Sequence, residues 1–147
     1  MNGEPGEPAR PISVAVVDDE SSVRVSLRRL CLALGFDATA YPSGRAFLES
    51  LDGDGGGPDC LLLDLQMPEM TGLEVQRHLA SLGVFIPTII VTADDAPEMR
   101  ARCLAAGASE YLRKPIGSDE LLSAIERAVV RARRAPPSLI SAKLEPK

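Results

Sequence analysis

Much of what this 147-residue chain could be is excluded by what it holds little of. Histidine occurs once, as His78, with no second histidine or cysteine at ligand spacing, so it reads as a solvated residue on a helix face. Cys31, Cys60 and Cys103 are odd in number, far apart and embedded in apolar sequence, which favours buried thiols over disulfides or metal ligands. No apolar run approaches membrane-spanning length, and Met1–Pro11, rich in Pro, Gly and Glu, lacks the apolar centre of a signal peptide. A cytoplasmic location is therefore expected. Basic residues are also in deficit: 16 Lys and Arg against 21 Asp and Glu give a net charge of -5, which argues against a general nucleic-acid or membrane surface. The length suits one domain with a real core and leaves no room for a second.

What the chain does hold is organised around Leu61–Gly72, LLLDLQMPEMTG. Leu61, Leu62 and Leu63 form an apolar run of the kind found in a parallel strand covered on both faces, and the run stops at Asp64. Met67-Pro68 forces a turn, and Thr71 with Glu74 forms a capping box for the next helix. Asp64 thus falls at the carboxyl end of a strand, where ligands collect in open parallel sheets. Taken alone, it reads first as a turn former or cap.

The rest of the chain alternates strand and helix. After an N-terminal arm over residues 1–11, Ile12–Val17 is rich in β-branched residues and reads as a strand ending in Asp18-Asp19-Glu20. Three acids at one strand end repel one another unless a cation, a lysine or water compensates, although Asp19 or a following Ser also suits a helix cap. Ser21 or Ser22 opens a helix with Val23, Leu27, Leu30 and Leu34 at helical spacing, closed by Gly35. Phe36–Tyr41 is a short strand, Pro42-Ser43-Gly44 a turn and cap, and Phe47, Leu48 and Leu51 mark a short helix. Asp52–Pro58, DGDGGGP, precedes a strand rather than joining strand to helix, so it is a connection and not a phosphate cradle. A helix from Thr71 to about Leu82 turns Leu73, Val75, Leu79 and Leu82 inward. Thr88–Thr92 is an apolar strand ending in a hydroxyl, Asp95 and Pro97 start a helix running to Gly107, and Glu110–Arg113 is an edge strand that presents Lys114 before Pro115. Ser118 caps a last helix with Asp119 and Glu120 in its first turn and Arg131, Arg133 and Arg134 near its end, complementing the helix dipole. Residues 12–134 therefore form a doubly wound, three-layer α/β domain of five parallel strands and five helices. Residues 135–147 are a Pro-rich tail or linker.

Four strand ends carry groups suited to one reaction: Asp18 with Asp19, Asp64, Thr92 and Lys114. Clustered carboxylates without thiol or imidazole favour a hard, oxygen-preferring ion, and Mg²⁺ fits such a site. With a lysine and a hydroxyl added, the pocket suits a tetrahedral dianion, and phosphoryl transfer onto a carboxylate is the matching chemistry.

The motifs VVDDE (Val16–Glu20), LLLDLQMPEMTG, VTAD (Val91–Asp94) and YLRKP (Tyr111–Pro115) jointly resemble the receiver domain of bacterial two-component response regulators, over about Ser13 to Val130. The resemblance implies a CheY-like, flavodoxin-like fold and a phospho-acceptor that takes a phosphoryl group from a sensor histidine kinase or phosphotransfer protein. By it Asp64 is the phosphoacceptor. Asp19, Asp64 and the backbone carbonyl of Gln66 ligate Mg²⁺, with Asp18 holding a metal water. Lys114 and Thr92 contact phosphoryl oxygens, Ala93 keeps the phosphate approachable, and Lys114-Pro115 is a cis peptide. Thr92 and Tyr111 are the switch pair, Tyr111 moving inward, and Gln66 and Asp94 occupy positions that tune phosphoryl lifetime. The face expected to form a dimer or meet an effector comprises the Pro97–Gly107 helix, the Glu110–Arg113 strand and the Ser118–Arg134 helix.

The sequence looks most like receivers that often precede a helix-turn-helix DNA-binding domain, yet shows none. It is either a single-domain receiver or a fragment whose linker begins near Ala135. Direct nucleic-acid or membrane binding by this part is not expected, nor is enzymatic activity beyond phosphorylation and dephosphorylation of its own aspartate. Other readings are a Mg²⁺-dependent phosphohydrolase with an aspartyl nucleophile, a flavin or nucleotide binder, and an interaction module that is never phosphorylated. The phosphohydrolase wants an acid where Gln66 stands, and the flavin or nucleotide binder wants a phosphate loop where the first acids stand.

Overall fold

The computed structural model describes residues 10–51, 57–93 and 96–134. Five strands alternate with five helices: β1 (Ser13–Val17), α1 (Ser21–Ala33), β2 (Asp37–Tyr41), α2 (Gly44–Ser50), β3 (Cys60–Asp64), α3 (Gly72–Ser81), β4 (Thr88–Thr92), α4 (Pro97–Ala105), β5 (Glu110–Arg113) and α5 (Ser118–Arg134). All strand pairs are parallel, in the order β2-β1-β3-β4-β5. β5 is an edge strand, as its short, mixed sequence implies.

Alternation along each strand divides the core into two layers. Val14, Val16, Leu62, Ile89, Val91 and Leu112 pack with Leu27 and Cys31 of α1 and Leu121, Ile125 and Val129 of α5. Ala15, Val17, Leu61, Leu63, Ile90 and Tyr111 pack on the opposite face with Phe47 of α2, Val75 and Leu79 of α3 and Cys103 of α4. The leucine run before Asp64 is apolar throughout because both faces of β3 are covered. All three cysteines are buried free thiols, and His78 is exposed on α3. Among the described residues no helix is long and apolar enough to cross a membrane.

Helix ends show where local signals decide. Thr71 and Glu74 form the expected capping box, with Glu74 N donating to Thr71 Oγ1 at 3.2 Å and Thr71 N to Glu74 Oε1 at 2.9 Å. Ser43 caps α2 through Ala46 N at 3.0 Å. At α1 neither Asp19 nor a serine is the cap. Glu20 holds that position without a side-chain bond, and Asp18 Oδ1 instead accepts from Glu20 N at 2.9 Å. Ser118 is the first residue of α5 rather than its cap; the Gly117 carbonyl accepts from Leu121 N. β2 starts at Asp37, because Phe36 N–H still bonds the Cys31 carbonyl of α1. α4 stops at Ala105, and Gly107 turns the chain at φ 109°. Leu82, expected inward, is 58% exposed, because α3 ends at Ser81 and Gly83 (φ 72°) redirects the chain; Gln76 is buried instead. Asp94, Asp95, most of the Gly-rich connection, residues 1–9 of the arm and the 135–147 tail lie outside the described residues.

Candidate functional site

β1 and β3 are neighbours in the sheet although α1, β2 and α2 separate them in sequence, so the strand order reverses between them. At that reversal the following connections leave on opposite faces, opening a crevice at the carboxyl ends. Asp18 and Asp19 follow β1 and Asp64 is the last residue of β3, so all three carboxylates arrive there. One oxygen of each lies within 4.8 Å of one of each other. Asp18 is 1% and Asp64 6% exposed, while Asp19 faces solvent.

Lys114, just past β5, reaches across the edge of β4 to this group. Its Nζ donates to Asp18 Oδ2 at 2.8 Å and lies 3.5 Å from Asp64 Oδ1. The ammonium is thus held more closely by Asp18 than by the expected phosphoacceptor. The Lys114-Pro115 bond is cis. Thr92, the last residue of β4, is fully buried beside exposed Ala93, and its carbonyl accepts from Lys114 N at 2.8 Å.

Electrostatics at this spacing are unbalanced. Burial, then the Asp18 charge, pushes the Asp64 carboxyl up from 3.8 to about 6, against the opposing pull of Lys114 and a hydrogen bond from Gln66 backbone; Asp19 adds a smaller upward push. Burial pulls the Lys114 ammonium down, but its hydrogen bond to Asp18 and the charges of Asp64 and Asp18 more than offset this, leaving it raised. An all-oxygen donor set carrying surplus negative charge suits a hard divalent cation. Among the described residues the cluster holds no imidazole or thiolate.

Three supporting features escaped sequence reasoning. A Cβ on Gly72 would sit 2.6 Å from the Asp64 carbonyl oxygen, so glycine alone lets α3 start against the end of β3. Arg24 donates to the Asp18 carbonyl at 2.8 Å, tying α1 to the acidic turn. Glu69 adopts φ 71° in the loop after Asp64, a left-handed conformation uncommon outside glycine. The glycine after the Thr71 cap was the one readable signal.

Tyr111 is already inward, packed in the α2–α4 layer with the Arg100 guanidinium 5.7 Å from its ring centre. On the same flank Glu110 receives both Nε and Nη2 of Arg127 at 3.1 Å, and Arg131 lies 3.7 Å away, pinning α5 to β5.

The model of the response regulator receiver domain matches residues 14–126. The chain belongs to the response regulator receiver family. Among curated relatives of this receiver, response regulator MprA of Mycolicibacterium vanbaalenii is 40% identical over 121 residues, covering 82% of this chain and 51% of that protein. Response regulator protein TmoT of Ectopseudomonas mendocina is 37% identical over 116 residues, covering 79% and 52%. The receiver thus spans about half the length of these relatives. The crystal structure of FixJ-N superposes with a TM-score of 0.76 at 34% identity, covering 83% of this chain and 96% of the other. A response regulator receiver protein from Burkholderia phymatum gives 0.72 at 41%, covering 85% and 98%. The domain is therefore homologous to phosphorylatable two-component response regulators, a family that interacts with histidine kinases or phosphotransfer partners. Receiver domains are generally Mg²⁺-dependent, and the acidic cluster is compatible with that ion.

Proposed function

We propose that residues 12–134 work as a phospho-acceptor switch in the cytoplasm, with residues 1–11 as an arm and 135–147 as a tail or linker. The observation that carries this reading is the meeting of Asp18, Asp19, Asp64 and Lys114 at one crevice. Asp64, ionised, attacks the phosphorus of a phosphohistidine on a sensor kinase or phosphotransfer protein. A C–O–P linkage forms, the P–N bond breaks, and the departing imidazole keeps the electron pair. Mg²⁺, when bound, would supply the positive charge that lets two anions approach. Asp19, Asp64 and the Gln66 carbonyl would hold it, with Asp18 acting through a water. Lys114 holds one phosphoryl oxygen, Thr92 donates its hydroxyl to another, and Ala93 leaves the approach open.

Signalling follows from the new dianion drawing on Thr92 and Lys114 at the ends of adjacent segments. Their displacement changes what Tyr111 packs against. The helix α4, the strand β5 and the helix α5 are then the face that recruits a second copy or an effector protein. The domain turns over no external substrate. Incubation with acetyl phosphate and Mg²⁺ followed by intact-mass measurement should add one phosphoryl group to wild type and none to Asp64→Asn. An unmodified wild-type mass would sink the phospho-acceptor reading, and sustained phosphomonoester turnover would replace it with a phosphohydrolase.

A further inference from the structure

At the sheet edge opposite the carboxylates a cavity of about 320 Å³ lies between the C-terminal halves of α3 and α4. Its size is at the lower end of small-molecule sites, roughly 300–1,000 Å³. Leu79, Val84, Ile86 and Leu104 supply apolar wall, and Phe85 and Leu104 there remain 41% and 42% exposed. Among the described residues no charged side chain lines it.

The polar groups on this wall share one character. Gln76 is 6% exposed; its Nε2 donates to the Cys103 carbonyl at 3.2 Å, while its Oε1 is the one buried side-chain polar atom without a partner among the described residues. Turning the amide over would set Oε1 against that carbonyl, so the acceptor stays orphaned. Thr88 spends its hydroxyl hydrogen on the Ile86 carbonyl at 2.9 Å and has only lone pairs left to offer. Ala105 and Ala106 bring the carbonyl-rich C-terminus of α4 to the same cavity. An anion would meet acceptors and the negative end of a helix, and a full cation would be desolvated with no counter-charge. An uncharged donor meets neither penalty and, once the Gln76 side chain turns its enclosed Oε1 toward the cavity, satisfies a group whose isolation is costly.

We propose that this cleft binds a small neutral molecule with an apolar body and a single O–H or N–H donor, of about the size of phenol. Nuclear magnetic resonance titration of the whole ¹⁵N-labelled chain with phenol, anisole and benzoate tests it, because anisole keeps the ring and loses the donor. Phenol should give saturable shifts confined to amides of residues 76–86 and 104–108 and bind about tenfold more tightly than anisole, equivalent to ~1.4 kcal/mol. Benzoate should not saturate. Gln76→Leu should abolish the preference for phenol, with Gln76→Met giving the same result should the leucine variant lose its dispersed spectrum, and Ala80→Leu should block both ligands by narrowing the cleft. Equal affinity for phenol and anisole, scattered or absent shifts, or a preference that survives in the Gln76 variants would overturn the assignment.

Discussion

Replacing Asp64 by Asn should make the metal-free domain more stable, although it removes the proposed phosphoacceptor. The carboxyl is raised from 3.8 to about 6 by burial and by Asp18. At 1.36 kcal/mol per pKa unit this corresponds to ~3 kcal/mol against the folded state when Asp64 is ionised. Because the crevice opens to water through exposed Asp19, screening reduces the expected gain to ~1.5–3 kcal/mol. The folded state binds the proton more tightly than the unfolded chain. Stability from protonated Asp64 is therefore complete below pH 3.8 and is lost as pH rises to about 6. The advantage of Asp64→Asn should accordingly be largest above about pH 7, shrink between pH 6 and 4, and vanish near about pH 4. At ~4 °C per kcal/mol for a domain of this size, melting temperatures in a chelator should differ by ~6–12 °C near neutrality. Adding Mg²⁺ should raise the wild-type value more than that of Asp64→Asn. Equal melting temperatures at neutral pH, or a gap unchanged on acidification, would refute the charge argument.

Other expectations rest on different contacts. Lys114→Met leaves Asp18, 1% exposed, without its 2.8 Å partner, and should cost ~3 kcal/mol in urea denaturation, with part of the loss restored by Asp18→Asn in the same chain. Gly72→Ala drives a methyl against the Asp64 carbonyl oxygen at 2.6 Å and the Leu65 backbone at 3.0 Å; a loss of ~1–3 kcal/mol with slower labelling by acetyl phosphate is expected, and a neutral result would mean α3 can move away from β3. Burial raises the Cys31 and Cys60 thiols to about 11 and about 12, so a disulfide reagent at neutral pH should leave both unmodified until denaturant unfolds the chain.

Features set by neighbours in sequence were readable in it, and those set by neighbours in space were not. The capping box at Thr71 and Glu74 needs only a four-residue pattern, and the leucines of β3 announce two covered faces by leaving no polar position. The strand-end acids, Thr92 and Lys114 follow from strand endings, because parallel strands share a carboxyl edge. That Lys114 would favour Asp18 over Asp64 depends on the separation of β5 from β1 across two intervening strands, which no local pattern encodes. Arg24 lies off the apolar stripe of α1, yet its length carries its guanidinium to the Asp18 carbonyl. Gln76 lies three residues from both Leu73 and Leu79 and thus on the inward stripe, but its polarity disguised it. Leu82 was placed inward by extending the same stripe one residue past the helix end.

The arrangement around Asp64 also accounts for a requirement that no single residue explains. Among the described residues three carboxylates face one ammonium, so when all are ionised two of these negative charges remain uncompensated by it in the crevice. A phosphoryl donor brings further negative charge to an oxygen already repelled by Asp18. Lys114 alone cannot balance both, since its ammonium is engaged at 2.8 Å by Asp18. Asp64 labelling by acetyl phosphate should therefore fall to background in a chelator, even though the nucleophile, the lysine and the threonine are all in place. Asp18→Asn, which removes one of the opposing charges and frees the ammonium for Asp64, should recover part of the chelator-suppressed labelling while weakening the dependence on Mg²⁺ concentration. Labelling of wild type that proceeds equally with and without the ion would show that the surplus charge is neutralised within the protein, and the electrostatic account of this crevice would fail.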